Sequence, residues 1–207
     1  MKLKSALKSV GHHIVDTTGL SLASTPIYSA LEVFVSGMSV ATSFESRLKV
    51  LGLGYVGFAT VYAKGRDLSK KIFKVDDSVS ESKHKVHDSL YNLAFNLAFA
   101  TPIYLSSGAD FEQTVRGATS AAVLGLFSGV INGYSIDMFR DCVGTKESHR
   151  VPNYIKKLGK TTKRFIAAGL IATSIATTAG IYKAKELISK EPAVYEVQKK
   201  SLENIVE

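Results

Sequence analysis

Five long stretches of this chain are free of Lys and Arg, and that avoidance constrains the fold more than any motif does. They cover residues 14–34, 50–63, 89–107, 117–136 and 165–182. Crossing a bilayer takes about 20 largely apolar residues, with roughly 17–25 observed. The second run reaches that length only by adding residues 46–49, with Arg47 and Lys49 bending their charged ends toward the interface. The first is no cleaved signal peptide, being too long and lacking a small-residue cleavage site ahead of a soluble domain. Mean hydropathy is only +0.10 because the connections between runs are strongly charged. An all-α integral membrane protein is expected, with four transmembrane helices and a fifth hydrophobic run.

The basic residues sit in alternate connections. Lys2, Lys4 and Lys8 precede the first run, and seven Lys or Arg from Lys64 to Lys85 lie between the second and third. A third group, from Arg140 to Arg164, follows the fourth, while connections 36–46 and 108–116 are almost free of them away from helix starts. The positive-inside rule then places the N-terminus in the cytoplasm, with two hairpins whose tight turns face outward. The net charge of +8 belongs to these loops and the lipid surface, so no nucleic-acid partner is expected. One cysteine, Cys142, excludes a disulfide scaffold, and with five scattered His it argues against a thiolate metal site. No cofactor, metal or catalytic residue is expected.

Four parts follow: a basic cytoplasmic N-terminus (1–11), a four-helix domain (12–140), a basic cytoplasmic linker (141–164), and a fifth hydrophobic helix with a charged tail (165–207). Within the domain the two hairpins read as copies. Thr25-Pro26-Ile27-Tyr28 recurs as Thr101-Pro102-Ile103-Tyr104, Ser36-Gly37 as Ser107-Gly108, and Arg66-Asp67 as Arg140-Asp141. Because each copy starts inside, the repeat would be parallel, about an axis along the membrane normal. The fifth run fits either a span that puts the C-terminus outside or an interfacial helix on the inner leaflet.

Polar side chains inside a bilayer cost free energy and need a reason. Thr17, Ser21, Thr25, Tyr28 and Glu32 share one face of the first helix, and Asp88, Asn92 and Asn96 share one face of the third. Ser128 and Asn132 lie on the fourth helix, with Asp137 near its cytoplasmic end. The stripes fit a path for a small polar solute or interhelical hydrogen bonds, the latter worth about 0.6 kcal/mol per pair. Glu32, near the outer end of the first helix with Arg47 across the turn, could bind an ammonium group, carry a proton or close a gate. Asp16, Asp88, Asp137, Arg66 and Arg140 gather near the inner face, the two arginines as topology anchors. Pro26 and Pro102 each remove a helical hydrogen bond and mark kinks. Gly125, Gly129 and Gly133 form a small-residue face suited to close helix contact, and four helices enclose little space, which admits a homodimer.

Gly52-Leu53-Gly54-Tyr55-Val56-Gly57 also fits a dinucleotide-binding fingerprint, with Asp76 placed like a ribose-binding acid. That piece resembles the start of nucleotide-sugar dehydrogenases. Such a domain needs a strand before the glycines and further β-α units, whereas long apolar helices flank these.

Residues Glu32-Val33-Phe34-Val35-Ser36-Gly37-Met38-Ser39, then Ser43-Phe44 and Ser46-Arg47-Leu48, resemble the L-alanine exporter (AlaE) family. The likeness continues through Tyr62, Arg66-Asp67-Leu68, Pro102, Tyr104, Gly108-Ala109-Asp110, Gly133-Tyr134 and Asp137, and so covers roughly residues 12–140. Asp16 falls at the family's early acidic position. Where the family's third helix has an acid, this chain has Asn92, with Asp88 one turn earlier. The inner end of the second helix and the fifth run also depart from the pattern. The resemblance implies a four-helix inner-membrane exporter of L-alanine, energised by the proton gradient. A zwitterion needs an acceptor for its ammonium, here Glu32 with Tyr28 and Asn92, and a donor for its carboxylate, here Arg47. Proton antiport needs a carboxylate that trades its proton for substrate, with Glu32 and Asp88 as candidates. The alternative is a membrane scaffold that transports nothing and holds a partner with its basic loops and tail.

Overall fold

A computed structural model of the chain describes residues 2–75, 80–147 and 151–206. Asp76 lies outside them, as do the side chains of Asp88, Tyr62, Arg66 and Asp67, the surroundings of Gly129 and Gly133, and the side chains of the tail from Lys190. All regular structure among the described residues is helical. Helix α1 (Lys2–Ala30) runs into a π-helical turn (Leu31–Val35); α2 (Val40–Leu53) continues through a second wide turn (Gly54–Phe58) into α3 (Ala59–Ile72). Then come α4 (Glu81–Ser106), α5 (Phe111–Val143), the short α6 (Asn153–Lys156) and α7 (Lys160–Val206). The glycine fingerprint thus crosses a helix end, with no strand among the described residues to hold a dinucleotide.

The repeated sequence signals give repeated turns. At each, a buried serine (Ser36, Ser107) precedes a left-handed glycine, Gly37 at φ 72° and Gly108 at φ 83°. A buried apolar residue (Met38, Ala109) and a helix cap then follow. Ser39 accepts from the Thr42 backbone N–H at 3.0 Å, and Asp110 from that of Gln113 at 2.8 Å. Each cap satisfies an amide the first helical turn leaves unpaired. The Gln113 side chain donates to the Gly37 carbonyl at 3.2 Å, tying one turn to the other. Met38, Ala109, Ile103, Tyr104 and Ala118 pack as one apolar cluster beneath both turns.

The returning arms differ. Helix α5 is continuous over 33 residues, whereas the first hairpin returns as two helices. The single second helix expected from hydropathy is therefore corrected: Gly57, at φ 118°, kinks the chain between α2 and α3. Three glycines within six residues weaken the local helix preference, and only glycine adopts that φ readily. Below the kink Phe58 packs on Phe95 and Phe99, with ring centroids at 5.2 and 4.3 Å.

Helices α1, α4 and α5 form the centre of the bundle, and α7 lies along α1 and α5. Gly19 lets α1 approach α5 closely: a Cβ there would sit 2.9 Å from the Ile136 Cα, and Ser135 donates to the Gly19 carbonyl at 2.5 Å. Between α4 and α5, Asn92 donates to the Gly125 carbonyl at 3.4 Å and Asn96 to the Asn92 carbonyl at 2.8 Å.

Among the described residues one helical stretch, Lys160–Ser189, is long and apolar enough to cross a membrane by length and composition, with a hydropathy of 1.6. It contains the fifth run, whose placement hydropathy and charge left open.

Candidate functional site

The wide turn at Leu31–Val35 sets the site. Ser36 N–H reaches back to the Leu31 carbonyl at 3.0 Å and Met38 N–H to the Glu32 carbonyl at 2.9 Å. A π turn accommodates an extra residue and rotates the following face, and such turns recur at functional sites. Here Glu32 and Val33 face inward and both are fully buried. A buried carboxylate persists as an ion only if paired and hydrogen-bonded. Arg47, one helix away on α2, supplies the charge through Nη2 to Oε1, and Ser43 donates to Oε2 at 2.6 Å. The α2 N-terminal half presents Thr42, Ser43 and Ser46 inward, all buried, which gives the carboxylate a polar wall.

Two tyrosines from the repeated Thr-Pro-Ile-Tyr segments converge on this pair. Tyr28 lies under the Arg47 guanidinium, 5.2 Å from ring centroid to Cζ, with Ser128 of α5 at its hydroxyl. Tyr104 is fully buried, and its hydroxyl approaches Glu32 without a full hydrogen bond to any described residue. Gly117 makes room for it, since a Cβ there would lie 2.9 Å from the Tyr104 ring and 2.7 Å from the Met38 methyl. Arg47 Nε is likewise buried without a partner among the described residues. The cluster therefore holds one anion, one cation and two buried donors without a partner among the described residues.

A second charged cluster lies about four helical turns back along α1, beside the C-terminal end of α5. Arg140 grips Asp16 with two bonds of 2.5 Å, and Asp137 stands 3.9 Å from its third nitrogen. The Asp16 hydrogen bonds raise the Arg140 pKa further above its ordinary value. Beside it Lys163 of α7 donates to the buried Asp141 at 2.6 Å. Phe139, Cys142, Val151, Ile155 and Ala167 pack around that contact. Burial, with Asp141 adding to it, pushes the Cys142 thiol pKa up.

Of the residues expected from sequence, Glu32, Arg47, Tyr28 and Tyr104 come together, and Asp16 and Asp137 meet at Arg140 instead. Asn92 does not join Glu32. It sits twelve residues before Tyr104 on α4, about 18 Å at 1.5 Å per residue, in the seam with α5. Asn96 shares that seam, and the Asp88 side chain is outside the described residues. Ser29, Ser43, Gly117 and Tyr182 belong to the site but not to the sequence-derived set. Ser43 falls within the family-like stretch and could have been raised on that ground. Tyr182, at the end of the fifth run, carries no local signal of its position.

No solved structure matches the chain. Residues 5–146 match the AlaE family, described as L-alanine exporter. An L-alanine exporter of Salmonella arizonae is 28% identical over 146 residues, covering 67% of this chain and 92% of the relative. One of Escherichia coli is 30% identical over 138 residues, covering 62% of this chain and 85% of its own length. One of Cronobacter sakazakii is 27% identical over 133 residues. Helices α6 and α7 lie beyond the matched family region. Over residues 5–146, which reach just past the end of α5, the chain belongs to the AlaE family of L-alanine exporters.

Proposed function

We propose that this protein exports L-alanine, or a similar small neutral amino acid, across the inner membrane. In this reading the two hairpins supply four spans, the N-terminus is cytoplasmic, and the proton gradient drives export. The observation that carries the reading is the enclosed Glu32–Arg47 pair with two free donors beside it. In the resting site each charge neutralises the other. A zwitterion entering between them gives its ammonium to Glu32 and its carboxylate to Arg47, so every buried charge stays compensated throughout. That exchange avoids the several kcal/mol that an unpaired buried ion costs. It also makes the gate and the binding site the same pair.

Tyr104 and Arg47 Nε are the donors available to the substrate carboxylate, and Tyr28 holds the guanidinium plane from below. Protonation of Glu32 would release the ammonium, which makes it the first candidate for coupling, with Asp88 the second. Asp16, Asp137 and Arg140 close the inner end, and the Asn92 and Asn96 seam flanks the path between. The hairpins would rock about the kinks near Pro26 and Pro102. A homodimer is part of the proposal, checked by crosslinking in the membrane; Gly125 of the α5 glycine face already packs against Asn96 of α4 within the bundle.

The test is gradient-driven alanine efflux from proteoliposomes carrying Glu32→Gln. The variant is expected to insert normally and to export nothing measurable. Efflux at the wild-type rate would refute the role of Glu32.

A further inference from the structure

Helix α7 is gripped at two depths. Near its start Lys163 pairs with Asp141 at 2.6 Å, at the same end of the bundle as Asp16 and Arg140. Nineteen residues later Tyr182, buried, touches both Ser29 at 3.0 Å and Ser43 at 3.1 Å. Those nineteen residues span about 28 Å of helix, close to the roughly 30 Å of a hydrocarbon core. From Phe165 to Ile181 the helix is mostly exposed, apolar and free of charge. A helix lying on the inner leaflet could not reach Ser29 at the far end of α1 and Ser43 at the start of α2.

The hydroxyl contacts have one consistent direction when Glu32 is ionised. Ser43 commits its only proton to Glu32 Oε2, so its contact with Tyr182 must be accepted from the Tyr182 hydroxyl. Ser29 then donates to Tyr182. Each member of such a chain polarises the next, so Tyr182 strengthens the bond that fixes the Glu32 carboxylate. Its ring is also held edge-on by Phe44, centroids 6.5 Å apart, which sets the hydroxyl independently of the bond.

We propose that α7 crosses the membrane as a fifth span and completes the Glu32–Arg47 site, with Tyr182 as the residue that positions Ser43 on Glu32. The inference rests on the export reading for what that site binds, but not for where α7 runs. It assigns a site residue to a segment that lies outside the matched family region. The C-terminal tail then lies on the outer side.

Two arms test this on the full chain. In proteoliposomes, Tyr182→Phe keeps the ring and its contact with Phe44 but removes the hydroxyl. It is expected to raise KM for L-alanine about tenfold, the weight of one charge-linked hydrogen bond, with kcat changed far less. An unchanged KM, or a loss confined to kcat, overturns the positioning role. In intact cells, with Cys142 replaced by Ala, a membrane-impermeant maleimide is expected to label Ser189→Cys from outside but not Thr161→Cys. Labelling of neither from outside, with both labelled in inverted vesicles, overturns the fifth span. A wild-type chain that exports no L-alanine would sink the export reading instead, and the labelling arm would still decide the course of α7.

Discussion

Two arginine–carboxylate pairs mark the two ends of a stretch of about four helical turns from Asp16 to Glu32, and they differ in how completely the protein encloses them. At one end the Glu32 side chain is wholly buried and Arg47 is 11% exposed; at the other, Asp16 is 34% exposed and Arg140 is 26% exposed. The chemistry is the same and the consequences are not. Water can still reach the Asp16–Arg140 pair, and Asp137 stands by as a second acceptor for Arg140. Among the described residues the Glu32–Arg47 pair has no second charged partner, so each depends on the other or on a ligand that replaces it. Burial, rather than residue type, separates the two pairs.

The comparison breaks most sharply at Arg47. Arg47→Ala leaves Glu32 buried without its counter-charge and should lower unfolding stability in detergent by about 3–5 kcal/mol. Adding Glu32→Gln to it should restore much of that loss in the same thermal melts, because the stranded charge is gone. Asp16→Asn should cost only about 1–2 kcal/mol, between a charged buried bond and an exposed one. High salt sharpens the contrast. At 1 M salt, where screening acts over about 3 Å, the Asp16→Asn deficit should shrink while the Arg47→Ala deficit persists. An equal salt response of the two would mean that both pairs are equally wet.

Gly57→Ala meets no atom within 4 Å, so its whole effect is the cost of a side chain at φ 118°, about 1–2 kcal/mol. A neutral or stabilising melt would show that the kink between α2 and α3 is not required. Smallest of all, Glu112→Ala removes the exposed pair with Arg116 at the second outer turn and should change stability by less than about 0.5 kcal/mol. A larger loss there would end the claim that enclosure sets the scale.

The two hairpins show how far residue patterns reach. Ser36-Gly37 and Ser107-Gly108 were legible as turns because left-handed backbone demands glycine and caps demand short polar side chains, both local requirements. Glu32 and Arg47 were legible because charge in an otherwise apolar run is conspicuous. The stripe on α4 was legible as a stripe but not in its use. Asn92 and Asn96 engage α5 and their own helix, and helical periodicity reports a shared face without saying what lies opposite. The break at Gly57 was hidden because the same glycines are compatible with a close-packed straight helix.

The sequence by itself determined that this chain is helical, where its turns fall, and which charged residues stand in apolar surroundings, since propensity, capping and hydropathy act within a few residues. Only the tertiary structure decided that Tyr28 and Tyr104 meet across one ion pair, that Arg140 belongs with Asp16, and that Tyr182 arrives from the last helix. Those contacts join residues as far as 153 positions apart. They depend on how helices tilt and which faces pack, a balance of many small dispersion and hydrogen-bond terms that no local pattern encodes.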